Sequence, residues 1–276
     1  MKLLQRLATG LALLLALGLV GCSSLTLAYN QLPFLGGLWI DSYLDLDSVQ
    51  QGRMKDKLRA WQAWHRREEL PQWVALLRQA GAALDDGVMT QDELLALERA
   101  GRASAERCLQ HAAPLAAPVL ADLRPEQWQH LQKKIDEKNA EWRENNAGRD
   151  GQIERGKKYA TTLERWLGDL DRATRKQARA DAEGWRFDLA ALSESRATRE
   201  ARTLAALRAW SHQDLAGGTA QLMQLAQPLP AEMPYREEIM ASVLKLLNGL
   251  DARQREQVRR HWADWQAQLR GLQQAG

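Results

Sequence analysis

Apolar residues recur at helical spacing along almost the whole chain, and that periodicity leaves little room for another architecture. Met54, Leu58 and Trp61 are spaced four and three apart. Trp128, Leu131, Ile135 and Trp142 are spaced three, four and seven, and Tyr159, Leu163, Trp166 and Leu170 four, three and four. Each set lines one face of an amphipathic helix. No stretch has the convincing period-two alternation of a half-buried strand. Gly and Pro fall mostly between the stripes, at Gly87, Pro114, Pro118, Gly148, Gly217, Gly218 and Pro228 among others. The pattern predicts helices near 47–67, 71–84, 91–112, 125–146, 152–169, 173–188, 194–226, 235–248 and 252–271. The expected fold is all-α, an elongated antiparallel helical bundle of about eight to nine amphipathic helices.

The expected helix starts share a signature. Leu46-Asp-Ser-Val-Gln50, Leu123-Arg-Pro-Glu-Gln127 and Leu250-Asp-Ala-Arg-Gln254 all read Leu-x-x-x-Gln, and Met89-Thr-Gln-Asp-Glu93 is a relative. These are capping boxes in form: Asp47, Thr90 and Asp251 accept from first-turn amides, and Gln50, Glu93 and Gln254 reach back. Leu123 has no capping side chain after it, but Pro125 suits a first helical turn, and Leu123 can staple against Trp128.

At the N-terminus, Lys2 and Arg6 precede an apolar run from Leu7 to Val20. That run is short for a membrane span, which takes about 20 residues, and the layout is that of a secretory signal. Leu19-Val20-Gly21-Cys22 resembles the bacterial lipobox, which implies cleavage between Gly21 and Cys22 and lipid attachment to the Cys22 thiol. The acyl chains would anchor the protein to a membrane, since each buried CH₂ contributes about 0.8 kcal/mol. Ser23 follows in place of the Asp that retains such proteins at the inner membrane, which favours the periplasmic face of the outer membrane. The expected organisation is a signal peptide over 1–21, a lipid-anchored leader over 22–45, and a helical periplasmic domain over 46–276. The leader is rich in Gly, Pro and aromatic residues and is expected to pack on the fold or lie near the membrane.

With the signal removed the chain carries 36 basic against 35 acidic residues. That balance gives no ground for nucleic-acid binding, which needs a concentrated basic face. With Cys22 acylated, Cys108 has no disulfide partner. It is expected to be a small buried hydrophobe, and Cys108 with His111 makes only half a zinc site.

The most catalytic-looking stretch is Trp61-Gln-Ala-Trp-His-Arg-Arg-Glu-Glu-Leu70, where His65 stands three residues from Glu68 and four from Glu69, a spacing that allows an acid–base or metal pair on one turn. The plainer reading is a polar helix end with surface ion pairs. No His has Glu three residues before it, as di-iron bundles require, and no Gly-x-Ser-x-Gly, P-loop or His-Glu-x-x-His motif occurs. The expectation is a non-catalytic protein without cofactor or metal. The eleven Trp read first as core fillers. A sharper alternative is a binding surface at Trp61, Trp64, His65, Trp262 and Trp265, since Trp is favoured at binding hot spots.

Two resemblances bear on role. The Leu-x-x-x-Gln helix starts resemble the Leu-Thr-x-x-Gln motif of Spy- and CpxP-type periplasmic chaperones, which implies binding of unfolded clients. The second position here is Asp or Arg instead of Thr. Over residues 1–150 the lipobox, Leu25-x-Leu-Ala-Tyr-Asn30, Trp39-Ile-Asp-Ser-Tyr-Leu-Asp-Leu-Asp47, Trp64-His-Arg-Arg-Glu-Glu-Leu-Pro71 and Leu123-Arg-Pro-Glu-Gln127 resemble a family of Gram-negative lipoproteins of unknown function. That likeness implies a location at the envelope and no activity; the expected partners are envelope proteins or unfolded clients.

Overall fold

The computed structural model describes residues 23–85, 87–225 and 227–274. The expected lipidation site, Cys22, and the cleavage position at Gly21 lie outside the described residues. Among those residues the chain is all-α. The leader forms α1 (Ser23–Asn30) and α2 (Leu32–Leu44), followed by α3 (Ser48–Trp64), a π turn (His65–Glu69) and α4 (Leu70–Ala82). Then come α5 (Gln91–Ala121), α6 (Pro125–Asn146), α7 (Gly148–Leu167), α8 (Arg172–Glu183) and α9 (Leu189–Ser211). The last are α10 (Leu215–Leu225), a 3₁₀ turn (Pro230–Glu232), α11 (Met233–Gly249) and α12 (Ala252–Gln274).

Two apolar cores share one spine. The first gathers Leu44, Leu46, Met54, Leu120, Leu131, Leu204 and Trp210 from α2, α3, α5, α6 and α9. The second gathers Leu77, Leu84, Leu163, Leu167, Leu247, Val258 and Trp262 from α4, α7, α11 and α12. The 31-residue α5, about 46 Å long at 1.5 Å per residue, serves both. Its Ala113, Ala117, Val119 and Leu120 enter the first core, and its Leu94 and Leu97 pack on the second. Between these ends α5 is polar. Glu98 pairs with Arg102 and Arg236, and Arg107 with Glu69.

Several expected boundaries move: the helix expected over 173–188 stops at Glu183, the one over 152–169 starts at Gly148, and three further changes have a physical reason. The helix expected to stop at 112 continues through Pro114 and Pro118 to Ala121. Each interior proline forfeits an amide bond at about 3 kcal/mol, and burial of the Ala113–Leu120 face offsets it. The helix expected over 194–226 starts earlier, at Leu189, and breaks after Ser211, because Gln213 adopts left-handed backbone at φ 65°. Asp214 then caps a return helix through the Gly217 amide, 2.8 Å away. That return is close. A Cβ on Gly218 would stand 2.4 Å from Trp210 Cδ1 and 2.7 Å from the Ala206 carbonyl oxygen. Gly218→Ala should therefore cost about 1–3 kcal/mol, checked by urea unfolding. Third, the helices expected over 47–67 and 71–84 form one rod joined by the π turn.

The capping boxes form as expected at Asp47/Gln50, Thr90/Glu93 and Asp251/Gln254. Beyond that, two of them dock on each other. Gln50 and Gln127, both buried, exchange amide hydrogen bonds. Gln127 Nε2 donates to Gln50 Oε1 at 2.8 Å, and Gln50 Nε2 donates to Gln127 Oε1 at 3.2 Å. Each also reaches the other's helix start: Gln50 donates to the Asp122 carbonyl (2.9 Å) and Gln127 to the Asp45 carbonyl (2.7 Å). The signature leucines, Leu46 and Leu123, are buried in the first core beneath them. The second core is closed in a related way. Leu170 and Leu250 are buried there, and Gln254 crosses to Asp171 at the start of α8.

Candidate functional site

The π turn holds the densest group of chemistry-bearing side chains suggested by the sequence. His65 stacks on Trp61, with ring centroids 4.8 Å apart, and Trp64 stacks on His111 at 4.2 Å. Trp61 Nε1 donates to the Cys108 carbonyl at 3.2 Å. Tyr29 from α1 sets its hydroxyl 3.0 Å from His65 Nδ1. Its neighbour Asn30 accepts from Arg66 at 2.8 Å, and Gln62 donates to the Tyr29 carbonyl. The Leu-Ala-Tyr-Asn and Trp-His-Arg-Arg motifs, distant in sequence, are thus one joint in space.

The carboxylate facing inward is Glu69, and the pairing of His65 with Glu68 suggested by their spacing does not form. Glu68 is exposed and bonds to Arg67. Glu69 is 1 % exposed. It accepts from Arg107 Nε (2.6 Å) and Nη2 (3.0 Å) and from Ser104 Oγ (2.8 Å). Burial pushes the Glu69 carboxyl up. The Arg107 and Ser104 hydrogen bonds with the charges of Arg107 and His65 more than reverse this, leaving it below the usual carboxylate range. Burial pulls the His65 imidazole down, partly opposed by Glu69, and does the same to His111 with help from Arg67. Burial, then the Glu69 charge, pushes the Cys108 thiol up to about 11.

These states decide what the group can do. A thiol at about 11 stays protonated at neutral pH, so Cys108 is no ready nucleophile. A carboxylate held by a bidentate arginine is not a free base. His65, its Nδ1 facing a phenol and its ring on an indole, serves as a packing and hydrogen-bonding unit. Among the described residues no cluster of His, Cys, Asp and Glu has the makings of a metal site.

The other expected aromatic residues lie elsewhere. Trp262 is buried in the second core and donates to the Trp166 carbonyl at 2.6 Å. Trp265 packs on Trp166 at 5.1 Å, and Trp166 in turn stacks on Trp73. No ring contact among the described residues joins this set to Trp61, Trp64 and His65. Of the five residues expected at a binding surface, Trp61, Trp64 and His65 share ring contacts, and Trp262 is a core residue.

A third aromatic cluster was not singled out from the sequence. Trp142, Phe187, Tyr235, Trp185 and Tyr159 make a chain of ring contacts between 4.6 and 6.1 Å. Arg155 sits 3.8 Å over Phe187, and Arg196 5.6 Å over Trp142. The signal that finds it is Arg155 itself, four residues before Tyr159 and eight before Leu163, on the inward stripe of α7.

No curated protein and no solved structure matches the chain. Residues 42–236, from the end of α2 into α11, match a family of unknown function, DUF6279, and the chain belongs to that family.

Proposed function

We propose that this is a lipid-anchored envelope protein. On this reading the α1–α2 arm lies against the membrane, and the helical body binds partners without catalysing a reaction. The observation that carries this is the apolar face of α2. Phe34, Leu35, Leu38 and Trp39 are 50–64 % exposed, at positions that fall on one side of a helix. Leu27 of α1 adds a fifth exposed apolar side chain. This face begins a dozen residues after Cys22, the expected lipid site. A membrane surface is the occupant its position favours, and each side chain contributes about 1.5–3 kcal/mol on leaving water. Among the described residues no helix is long and apolar enough to cross a membrane, so the arm is read as lying on the surface.

The non-catalytic part rests on the occupied state of Glu69, Cys108 and His65. The chaperone resemblance gains no support from its own motif, because Gln50 and Gln127 spend their amides on each other and on backbone carbonyls.

The test has two arms. In cells, Cys22→Ser should abolish labelling by palmitate and release the protein from the membrane fraction. In vitro, the Cys22→Ser chain should retain weak binding to vesicles of phosphatidylethanolamine and phosphatidylglycerol. The triple change Leu35→Ser, Leu38→Ser and Trp39→Ser should remove it with little loss of thermal stability. Unchanged palmitate labelling would overturn the anchor. Unchanged vesicle binding by the triple variant, or none by its parent, would overturn the arm.

A further inference from the structure

Arg155 is a buried cation with no anion. It is 8 % exposed, and none of the ion pairs among the described residues includes it. Its Nη1 donates to the Asn146 carbonyl at 3.2 Å, and its face covers Phe187. Its Nε is buried with no partner, and one helical turn on the Tyr159 hydroxyl is also buried with no partner. A guanidinium keeps its charge in proteins, and an uncompensated charge is among the costliest groups to bury. The contrast with Glu69 is direct: that buried charge has three hydrogen bonds from two side chains, whereas Arg155 has one carbonyl.

Arg155 and Tyr159 both belong to the wall of a cavity of about 470 Å³ between α6, α7 and α11, with Trp142, Trp185, Tyr235, Leu163 and Ile239; their unpartnered atoms are covered, so a ligand reaches them as the wall gives. It adjoins a second space of about 510 Å³, with which it shares Trp142, Asn146, Tyr235 and Ile239. The wall of that second space carries Arg102, Arg196, Arg199 and Arg236 against Glu98 and Glu232, with Glu200 paired to Arg196 behind it. Each volume is of ligand-binding size.

We propose that this cavity is a binding site for an amphiphilic carboxylate. The carboxylate would be received by Arg155 and the Tyr159 hydroxyl, and its apolar body by the aromatic and aliphatic walls. Guanidinium and carboxylate match as planar forks, and a ligand without an apolar part would leave most of the lining unsatisfied. The site is independent of the membrane arm and of the π turn. The carboxylate could come from an aliphatic acyl chain or from an aromatic acid, and the two share the chemistry recognised here.

The experiment is calorimetric titration of the full chain carrying Cys22→Ser, so that attached lipid does not compete. The ligands are decanoate and indole-3-acetate. Acetate lacks the apolar body and decanol lacks the charge, so they serve as controls. Saturable binding of either acid, much tighter than of both controls, is expected, and the better acid identifies the source. Arg155→Met should weaken that binding about 10–100-fold, the worth of a hydrogen bond to a charged group. The same variant should raise the melting temperature of the ligand-free protein, because it removes an unpaired buried charge. Tyr159→Phe should weaken binding without lowering the melting temperature. The proposal is overturned if neither acid binds, or if Arg155→Met binds as the parent does. It is also overturned if Arg155→Met melts lower than the parent, which would make Arg155 a structural cap on Asn146.

Discussion

Arg107→Ala should destabilise the protein by about 3–5 kcal/mol at pH 7, and by distinctly less at pH 4.5. The cost does not come from Arg107, whose side chain is 43 % exposed. It comes from Glu69, left almost fully buried with only the Ser104 hydroxyl. In the parent the folded-state pKa of Glu69 lies below its ordinary value. Its contribution is therefore complete above the unfolded pKa, about 4.3, and is lost as pH falls through the folded value. In the variant the Arg107 bonds and charge are gone and burial remains, so the sign inverts. The folded pKa rises above the unfolded one, and stability is lost as pH climbs between them. Urea unfolding of parent and variant at both pH values measures the difference. Equal deficits would mean that Glu69 has found water or another cation. Adding Glu69→Gln to Arg107→Ala should recover part of the loss at pH 7.

Gln127→Ala should cost about 2–4 kcal/mol, more than its loss of apolar contact explains. The substitution strands two half-buried polar groups at once, the Arg124 amide and the Asp45 carbonyl, and takes one partner from each end of the Gln50 amide, which keeps the Asp47 amide and the Asp122 carbonyl. Each unsatisfied group costs about 1–3 kcal/mol, reduced where water can reach it. Gln50→Ala should behave similarly. Because each change already breaks the shared pair, the double variant should fall short of the sum by about 1–2 kcal/mol. A cycle additive within about 0.5 kcal/mol would show that the two helix starts do not depend on each other.

Much of the fold was legible because its determinants are local. A helix stripe is set by residues three and four apart, and a capping box by residues three apart. The docking of one capping box on another was not legible, since Gln50 and Gln127 are 77 residues apart and nothing in either motif names its mate. The candidate site was half legible. His65 and its two Trp neighbours were found, and Glu68 and Glu69 both fell within one helical turn of His65, so spacing alone could not pick Glu69 as the buried one. The α5 boundary failed where tertiary burial outweighed Pro114 and Pro118. Arg155 on an inward stripe was visible. Its ring partner Phe187 lies between helices, and Tyr235 lies on another one, so no periodicity could assemble them.

The π turn also sets the phase of the rod. Carried on at α spacing, the α3 stripe through Met54, Leu58, Trp61 and His65 would reach Gln72, Leu76 and Gln79. The residues that enter the second core are instead Leu77, Ala80 and Leu84, with Gln72 and Gln79 exposed. The sequence slips by one residue between its two apolar stripes, and the wider turn at His65–Glu69 absorbs the slip, so that both halves of the rod face the same spine. The width of the turn is therefore what holds the register. Closed into plain α-helix at the same chain length, it would swing Leu77, Ala80 and Leu84 about 100° around the rod axis, turning an apolar seam out to water without changing any of the three, whereas a chain one residue shorter would keep them inward on an unbroken α-helix.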